Sequence, residues 1–260
     1  MEIVIVESPT DIGPLVATMV VGLLERRPDA VLGLAGGDSP VPVYESLIAA
    51  HRRGEVSFAD ASAVTLDEYV GLPPGHPRSY RQVIIDDFVS HVDLPVASLH
   101  TPDVHAADLD AACAEFEAHI VRLGGVDLQL LGIGANGHIG FNEPGSSLAS
   151  RTRIATLHPR TRADNARFFA SADEVPYHVV TQGVGTVLDA RHAVLIASGG
   201  HKREAVAAMV EGPVTAFVPA SALQLHPHAT VVIDAASAAD LRLSEYYRFA
   251  HEHRPHRRQY

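Results

Sequence analysis

The sequence predicts an α/β fold, in which a doubly wound, mainly parallel sheet is flanked by helices. Short runs rich in β-branched residues alternate with longer amphipathic runs along the chain. Apolar residues make up 47% of the 260 residues, enough for a sizeable core. No internal repeat or low-complexity linker divides the chain, so we expect a single domain over residues 1–260, with a loosely held tail after about residue 251.

Six short apolar runs have the length and composition of buried strands. In chain order they are residues 3–6, 30–35, 62–66, 128–133, 193–197 and 230–233. The first run opens the chain without the basic lead and cleavage site of a secretory signal, so we expect no export.

Between and after these strands lie amphipathic runs, which are typical of helices that cover a sheet. The predicted helices are residues 11–26, 40–53, 79–90, 107–123, 202–210 and 220–225. The apolar stretch 13–24 is about half the length that a membrane-spanning helix needs, so no membrane partner is expected.

Composition restricts the partners and the compartment. The chain has 20 Lys and Arg against 31 Asp and Glu, a formal net charge of -11, so nucleic acid is not an expected partner. An anionic ligand would need a local positive pocket. Cys113 is the single cysteine, which excludes an internal disulfide and favours the cytoplasm. The 16 histidines lack the spacing of a metal-binding helix, so no metal site is predicted.

The loops after the strands are where ligands of open parallel sheets bind. After the second strand, Gly36 and Gly37 remove side-chain bulk and Ser39 can cap the next helix, so backbone N–H groups would face an anion. A second glycine turn, residues 198–200, leads to Lys202, and a lysine beside a backbone cradle commonly holds phosphate. Ordinary strand-to-helix turns use the same residues, which leaves a purely structural role open.

Two further loops carry candidate proton-transfer groups. Asp67 directly follows the third strand, where its carboxylate would serve as a general base or as a turn cap. His138 lies in a glycine-rich segment after the fourth strand, and Glu143 is placed to polarise its imidazole. The surrounding glycines argue against a histidine packed in the core.

Motifs over nearly the whole chain resemble those of the glucosamine-6-phosphate deaminase family. They are TLDEYVGL at 65–72, HPRSY at 76–80, GHIGFNEP at 137–144, SSLASRTR at 146–153, NARFF at 165–169 and LQLHP at 223–227. The resemblance implies conversion of glucosamine 6-phosphate and water to fructose 6-phosphate and ammonia, without metal or organic cofactor. It is compatible with a monomer or a homo-oligomer, and it suggests a lid over residues 157–177.

The resemblance also implies roles for individual residues. Asp67 would move a proton between carbons 2 and 1 of the opened sugar. His138 would assist ring opening, and Glu143 would orient it. Arg167 and Lys202, together with the loop 36–39, would hold the 6-phosphate.

Three positions depart from the usual family pattern. Asp38 adds a carboxylate to the phosphate loop, and at about 4 Å from a phosphate charge the repulsion would be roughly 4 kcal/mol at an effective dielectric near 20. Either Asp38 turns outward to cap the next helix, or the ligand is not the usual phosphate. Asn136 replaces an aspartate near the histidine, and an amide holds an imidazole tautomer but does not stabilise an imidazolium as a carboxylate does. Ala155 replaces a lysine of the family's effector site, in which Ser146 and Arg153 remain, so we predict little activation by an N-acetylated sugar phosphate.

Two alternative hypotheses remain. One is a paralogue that acts on another amino sugar, unphosphorylated or N-acetylated. With an acylated nitrogen, proton abstraction at carbon 2 would instead expel the carbon-3 hydroxyl and make the enzyme a dehydratase. The other is a sugar-phosphate sensor without turnover, which retention of both the candidate base and the histidine disfavours.

Overall fold

The computed structural model describes residues 1–254, which form a parallel sheet with helices on both faces and a smaller antiparallel sheet beside it. The strands are β1 Glu2–Val6, β2 Val31–Leu34, β3 Ser62–Thr65, β4 Asp67–Tyr69, β5 Leu99–His100, β6 Leu128–Gly132, β7 Arg153–Thr156, β8 His178–Thr181, β9 His192–Ala197 and β10 Ala229–Asp234. The α-helices are α1 Ile12–Arg26, α2 Val41–Arg52, α3 Tyr80–Asp87, α4 Leu109–Arg122, α5 Pro159–Asn165, α6 Val184–Leu188, α7 Arg203–Glu211 and α8 Ser244–Glu252.

The large sheet has seven parallel strands in the order β1-β10-β9-β6-β2-β3-β5, which confirms the predicted fold class. From β2 the chain builds outward through β3 to β5. It then returns with β6 to the other side of β2 and continues outward to β9 and β10. The strand order therefore reverses between β2 and β6, and a crevice is expected beyond their carboxyl ends.

Alternating side chains of the large sheet pack into two apolar layers. On β9, Val194 and Ile196 belong to a cluster that includes α1 and α2, whereas Ala193 and Leu195 belong to a cluster that includes α7. Both faces are thus covered, which explains why the central strands are almost continuously apolar rather than alternating with polar residues.

The small sheet was not predicted from the sequence, and it positions one of the candidate catalytic residues. Its order is β4-β8-β7, with antiparallel pairing. The chain passes between the two sheets at Leu66, whose N–H donates to Leu34 O while its carbonyl accepts from Gln182 N. Asp67 follows at once and pairs with Thr181 of β8. Asp67 therefore begins a new strand at the edge of the crevice.

Several helices differ from their predicted form. The predicted helix 220–225 is a 3-10 helix, Pro219–Leu225, and the predicted helix 79–90 is divided into α3 and a 3-10 turn, Val89–His91. The short helices α6 and α8 were not among the predicted helices. Within residues 1–254, no helix is long and apolar enough to cross a membrane.

The expected loose tail lies largely outside the described residues. Helix α8 packs against β1 and ends at Glu252, and His251 Nδ1 lies 3.1 Å from Glu2 Oε1. The predicted tail beyond residue 254 falls in the part of the chain that is not described.

Candidate active site

A pocket opens at the crevice between β2 and β6. Its walls come from the loops after these strands, from the start of β4, from α5 and from the turn before α7. Of the residues singled out in the sequence, it is lined by Gly36, Gly37, Asp38, Ser39, Asp67, His138 and Lys202. Glu143 and Asn136 contact one another next to His138, and Arg167 contacts Asp38. The structure therefore brings together residues from four separate loops.

Asp67 is a buried carboxyl group in the wall of this pocket. Only 6% of the residue is exposed, and no group among residues 1–254 donates a hydrogen bond to its side chain. Burial, with a smaller contribution from the neighbouring charge of Glu68, raises the pKa of Asp67 to about 8. A carboxyl group with such a pKa can accept and return a proton near neutral pH.

Glu68 binds backbone N–H groups, a structural role that was not predicted from the sequence. Its carboxylate accepts backbone N–H groups from Tyr69 at 2.8 Å, Tyr80 at 2.8 Å and Arg81 at 2.9 Å. Two of these donors open α3, so Glu68 ties the start of that helix to β4. Burial raises the pKa of Glu68, while the three N–H groups act in the opposite direction. The motif at 65–72 contained Glu68, but its partners lie 12 and 13 residues away and could not be identified from the sequence.

His138 and Glu143 form the second pair of candidate proton-transfer groups. His138 Nδ1 lies 3.4 Å from Glu143 Oε2, longer than a normal hydrogen bond. Asn136 Nδ2 donates to the same oxygen at 2.8 Å, and Thr161 Oγ1 donates to Oε1 at 2.5 Å. Burial opposes ionisation of Glu143, but the contacts with His138, Thr161 and Asn136 outweigh it and lower the pKa of Glu143 to about 2. Glu143 is therefore an anion beside the imidazole.

Asn136 acts on this carboxylate and not on the imidazole ring. Its amide nitrogen is engaged with Glu143, while its oxygen accepts the backbone N–H of His138 at 3.3 Å. The neighbouring Gly134 is required by the ring itself, because a Cβ there would lie 2.2 Å from His138 Cε1. The glycine-rich segment thus allows the imidazole to lie against the loop backbone.

The loop after β2 has the expected close approach of backbone to pocket. Gly37 has a φ of 82°, and a Cβ at Gly36 would lie 1.9 Å from Tyr80 Cδ1. Ser39 does not cap α2, which corrects that prediction: α2 follows Pro40 with no side-chain cap. Ser39 instead lies close to the other loop, since a Cβ at Gly132 would be 3.0 Å from its Oγ.

Asp38 does not cap α2 either, so the predicted outward cap is wrong. Its Oδ2 lies 2.5 Å from Nη2 of Arg167, and both side chains are more than 60% exposed, at 61% and 64%. Lys202 lines the same pocket, with Nζ donating to Ile133 O at 2.7 Å. Burial lowers the pKa of Lys202, and Arg167 contributes in the same direction. Asp38, a carboxylate within the loop 36–39, therefore has two cationic side chains near it, Arg167 and Lys202.

Stacked aromatic rings form a wall that the sequence did not reveal. Tyr69 and Tyr80 stack with centroids 5.0 Å apart, and Phe141 packs against both. Asn165 Nδ2 donates to Tyr69 Oη at 2.8 Å, which joins the end of α5 to the wall. Helix α5, which also supplies Thr161 to Glu143, thus closes one side of the pocket.

The residues attributed to an effector site lie in a separate network. Arg153 donates to Asn142 Oδ1 at 2.7 Å and to Ser146 Oγ at 3.0 Å. Burial lowers the pKa of Arg153. Ala155 lies further along β7, paired with Val179. Little activation by an N-acetylated sugar phosphate stays a prediction.

Comparison with known proteins identifies close relatives. The model of the family described as glucosamine-6-phosphate isomerases/6-phosphogluconolactonase matches residues 10–233. Proteins named glucosamine-6-phosphate deaminase from Pseudarthrobacter chlorophenolicus and Streptomyces coelicolor are 56% and 55% identical, over 98% of this chain and 98% of their own. A solved structure of a monomeric glucosamine-6-phosphate deaminase is 41% identical, with a TM-score of 0.90 over 92% of this chain and 99% of that chain. A 6-phosphogluconolactonase from Trypanosoma cruzi, at 18% identity and a TM-score of 0.72 over 93% of this chain and 97% of that chain, shares the fold.

Proposed function

Because the chain belongs to the glucosamine-6-phosphate isomerase/6-phosphogluconolactonase family, we propose that it catalyses the isomerising deamination of glucosamine 6-phosphate to fructose 6-phosphate and ammonia. The observation that carries the proposal is one pocket that contains a buried carboxyl group, Asp67, and an imidazole paired with a carboxylate, His138 with Glu143. Relatives named for this reaction, 53% to 56% identical over nearly the whole chain, support it.

The 6-phosphate would bind at the loop 36–39. Gly36 and Gly37 allow close approach to backbone N–H groups, and Lys202 and Arg167 supply positive charge from two sides. The amine of Lys202 already lies in the pocket wall, where it donates to Ile133 O. It would exchange this carbonyl for a phosphate oxygen.

His138 would catalyse opening of the sugar ring. The closed sugar must gain a proton at the ring oxygen as the carbon-1 hydroxyl loses one. With Nδ1 turned toward the anionic Glu143, Nε2 is the ring nitrogen that remains for the sugar. The carboxylate of Glu143 beside Nδ1 orients the ring so that Nε2 can pass a proton to the ring oxygen.

Asp67 would then carry out the isomerisation. It removes the proton from carbon 2 of the open aldehyde while the carbon-1 oxygen regains the proton that it lost on ring opening, which gives an enolamine. Asp67 then returns its proton to carbon 1. The product is a ketimine, and addition of water followed by loss of ammonia gives the ketose. Positioned proton transfer of this kind contributes about a hundredfold to ten-thousandfold in rate. A pKa of about 8 suits a group that must both take and return a proton.

Compartment and assembly are part of the same proposal. A cytoplasmic enzyme is consistent with Cys113 being a free and buried thiol. A homo-oligomer is not required, since a relative at 41% identity is described as monomeric.

The decisive experiment is incubation of the purified protein with glucosamine 6-phosphate, followed by assay of ammonia and fructose 6-phosphate together. N-acetylglucosamine 6-phosphate and glucosamine are tested in parallel. Equal amounts of both products support the proposal. Consumption of only one of the other two sugars would refute it and favour a paralogue with a different substrate, and binding without turnover would favour a sensor.

A further inference from the structure

The ion pair between Asp38 and Arg167 lies at the phosphate loop. Asp38 belongs to the loop whose backbone would receive the phosphate, and Arg167 lies 129 residues further along the chain. The pair joins this loop to the turn that follows α5. A carboxylate therefore already occupies the guanidinium that the proposed function assigns to the 6-phosphate.

Arg167 has a second support that does not depend on Asp38. Its guanidinium carbon lies 4.6 Å from the centroid of the Phe168 ring, within the range of a cation–π contact. The 3-10 turn Ala166–Phe168, which follows α5 directly, also fixes the backbone at this position. Asp38 is therefore not needed to hold Arg167 near the pocket.

Another anion can replace Asp38 as the partner of Arg167. Both side chains are largely in solvent, and exposed ion pairs of this kind are weak. A sugar phosphate is mostly a dianion above its second pKa of about 6, and it offers three acceptor oxygens where a carboxylate has two. The dianion can displace the carboxylate from Arg167, but Asp38 competes with it for the guanidinium.

We propose that Asp38 is a specificity-determining residue that competes with the substrate's 6-phosphate for Arg167. This inference rests on the proposed function. Binding of a phosphorylated sugar is then an exchange of one anion for another on the same guanidinium. A sugar without phosphate has nothing to displace Asp38, so Arg167 stays paired and contributes nothing to its affinity. Removing the carboxylate should tighten binding of phosphorylated sugars and leave unphosphorylated sugars unaffected.

A double-mutant cycle tests this by calorimetry. The ligand is glucitol 6-phosphate, which has the phosphate but no aldehyde and cannot react. The variants are Asp38→Asn, Arg167→Gln and the double variant. We expect Asp38→Asn to lower Kd by about fivefold when Arg167 is present and by less than about twofold when it is replaced. Asp86→Asn is the matched control, because it removes a charge from a neighbouring cavity that Gly37 and Asp38 also line, without contacting Arg167, and its Kd should equal that of the wild type.

Three results would overturn the proposal. A weaker binding in Asp38→Asn would mean that Asp38 orients Arg167. Equal tightening with and without Arg167 would mean repulsion through space, and an unchanged Kd would mean that the carboxylate does not oppose the phosphate. Ammonia release from glucosamine 6-phosphate is measured with the same wild-type preparation. This assay tests the proposed reaction separately from the competition between Asp38 and the phosphate. If the wild type turns over and these Kd values still disagree with expectation, only the competition is refuted.

Discussion

Replacing Asp67 by Asn should stabilise the folded protein while abolishing turnover. The carboxyl group is buried, none of residues 1–254 donates a hydrogen bond to it, and its pKa is raised from 3.8 to about 8. A group whose folded pKa is raised binds its proton more tightly in the folded state than in the unfolded chain. The contribution of Asp67 to the free energy of unfolding therefore has its full value below about pH 4 and decreases as the pH rises toward 8.

The size of this effect follows from the two pKa values of Asp67. Each pKa unit corresponds to about 1.36 kcal/mol. Ionisation of Asp67, which occurs first in the unfolded chain, therefore lowers stability by roughly 3 kcal/mol at about pH 6 and by roughly 5.5 kcal/mol above pH 8. An amide in the same place lacks partners and costs about 1–2 kcal/mol at any pH. We therefore expect the advantage of Asp67→Asn over the wild type to increase by roughly 2–3 kcal/mol between about pH 6 and about pH 8.5.

Urea unfolding of both proteins at these two pH values measures the difference, with Asp86→Asn as a control at an exposed carboxylate. In the same range, kcat/KM of the wild type should rise about tenfold per pH unit until it levels near pH 8, because the base must be ionised. An advantage that is equal at both pH values, or activity retained by Asp67→Asn, would refute the assignment.

The remaining predictions concern groups that act on the proton-transfer residues or on the phosphate. Glu68→Gln removes the charge beside Asp67, so the acidic limb of the pH profile of kcat/KM should move to lower pH. Glu143→Gln removes the anion beside His138, so kcat should fall about a hundredfold with a smaller change in KM, measured by ammonia release. Lys202→Gln should raise KM for glucosamine 6-phosphate at least about tenfold and leave any residual turnover of free glucosamine unchanged.

Each of these predictions has a result that contradicts it. An unchanged pH profile in Glu68→Gln would mean that its charge does not reach Asp67, and loss of the folded state would be recognised from a melting curve. A normal kcat in Glu143→Gln would remove Glu143 from ring opening. An unchanged KM in Lys202→Gln would place the phosphate elsewhere.

Much of this site could be located from local patterns alone. The apolar runs predict the parallel sheet, and ligands of such a sheet bind beyond the carboxyl ends of its strands. Asp67, His138 and Lys202 each follow a strand or a glycine turn, and all three line the pocket. Such positions are visible in the sequence because strand and turn signals extend over only a few residues.

The contacts that tune these residues were decided by tertiary structure. Asp38 was expected to cap a helix and instead pairs with Arg167, 129 residues away. Asn136 was expected next to an imidazole and instead supports the carboxylate of Glu143. A charged or amide side chain satisfies itself with whichever partner packing brings near, and no local periodicity encodes that choice.

The small antiparallel sheet shows the same difference between what the sequence determined and what the tertiary structure decided. The sequence by itself determined that the chain builds a parallel α/β sheet with polar loops at one edge, because burial on both faces requires continuous apolar strands. Only the folded chain decided that Leu66 turns from one sheet into the other and that Asp67 is buried there with Glu68 at its side. That burial raises the pKa of Asp67, and burial is a property of the surrounding packing rather than of the residue.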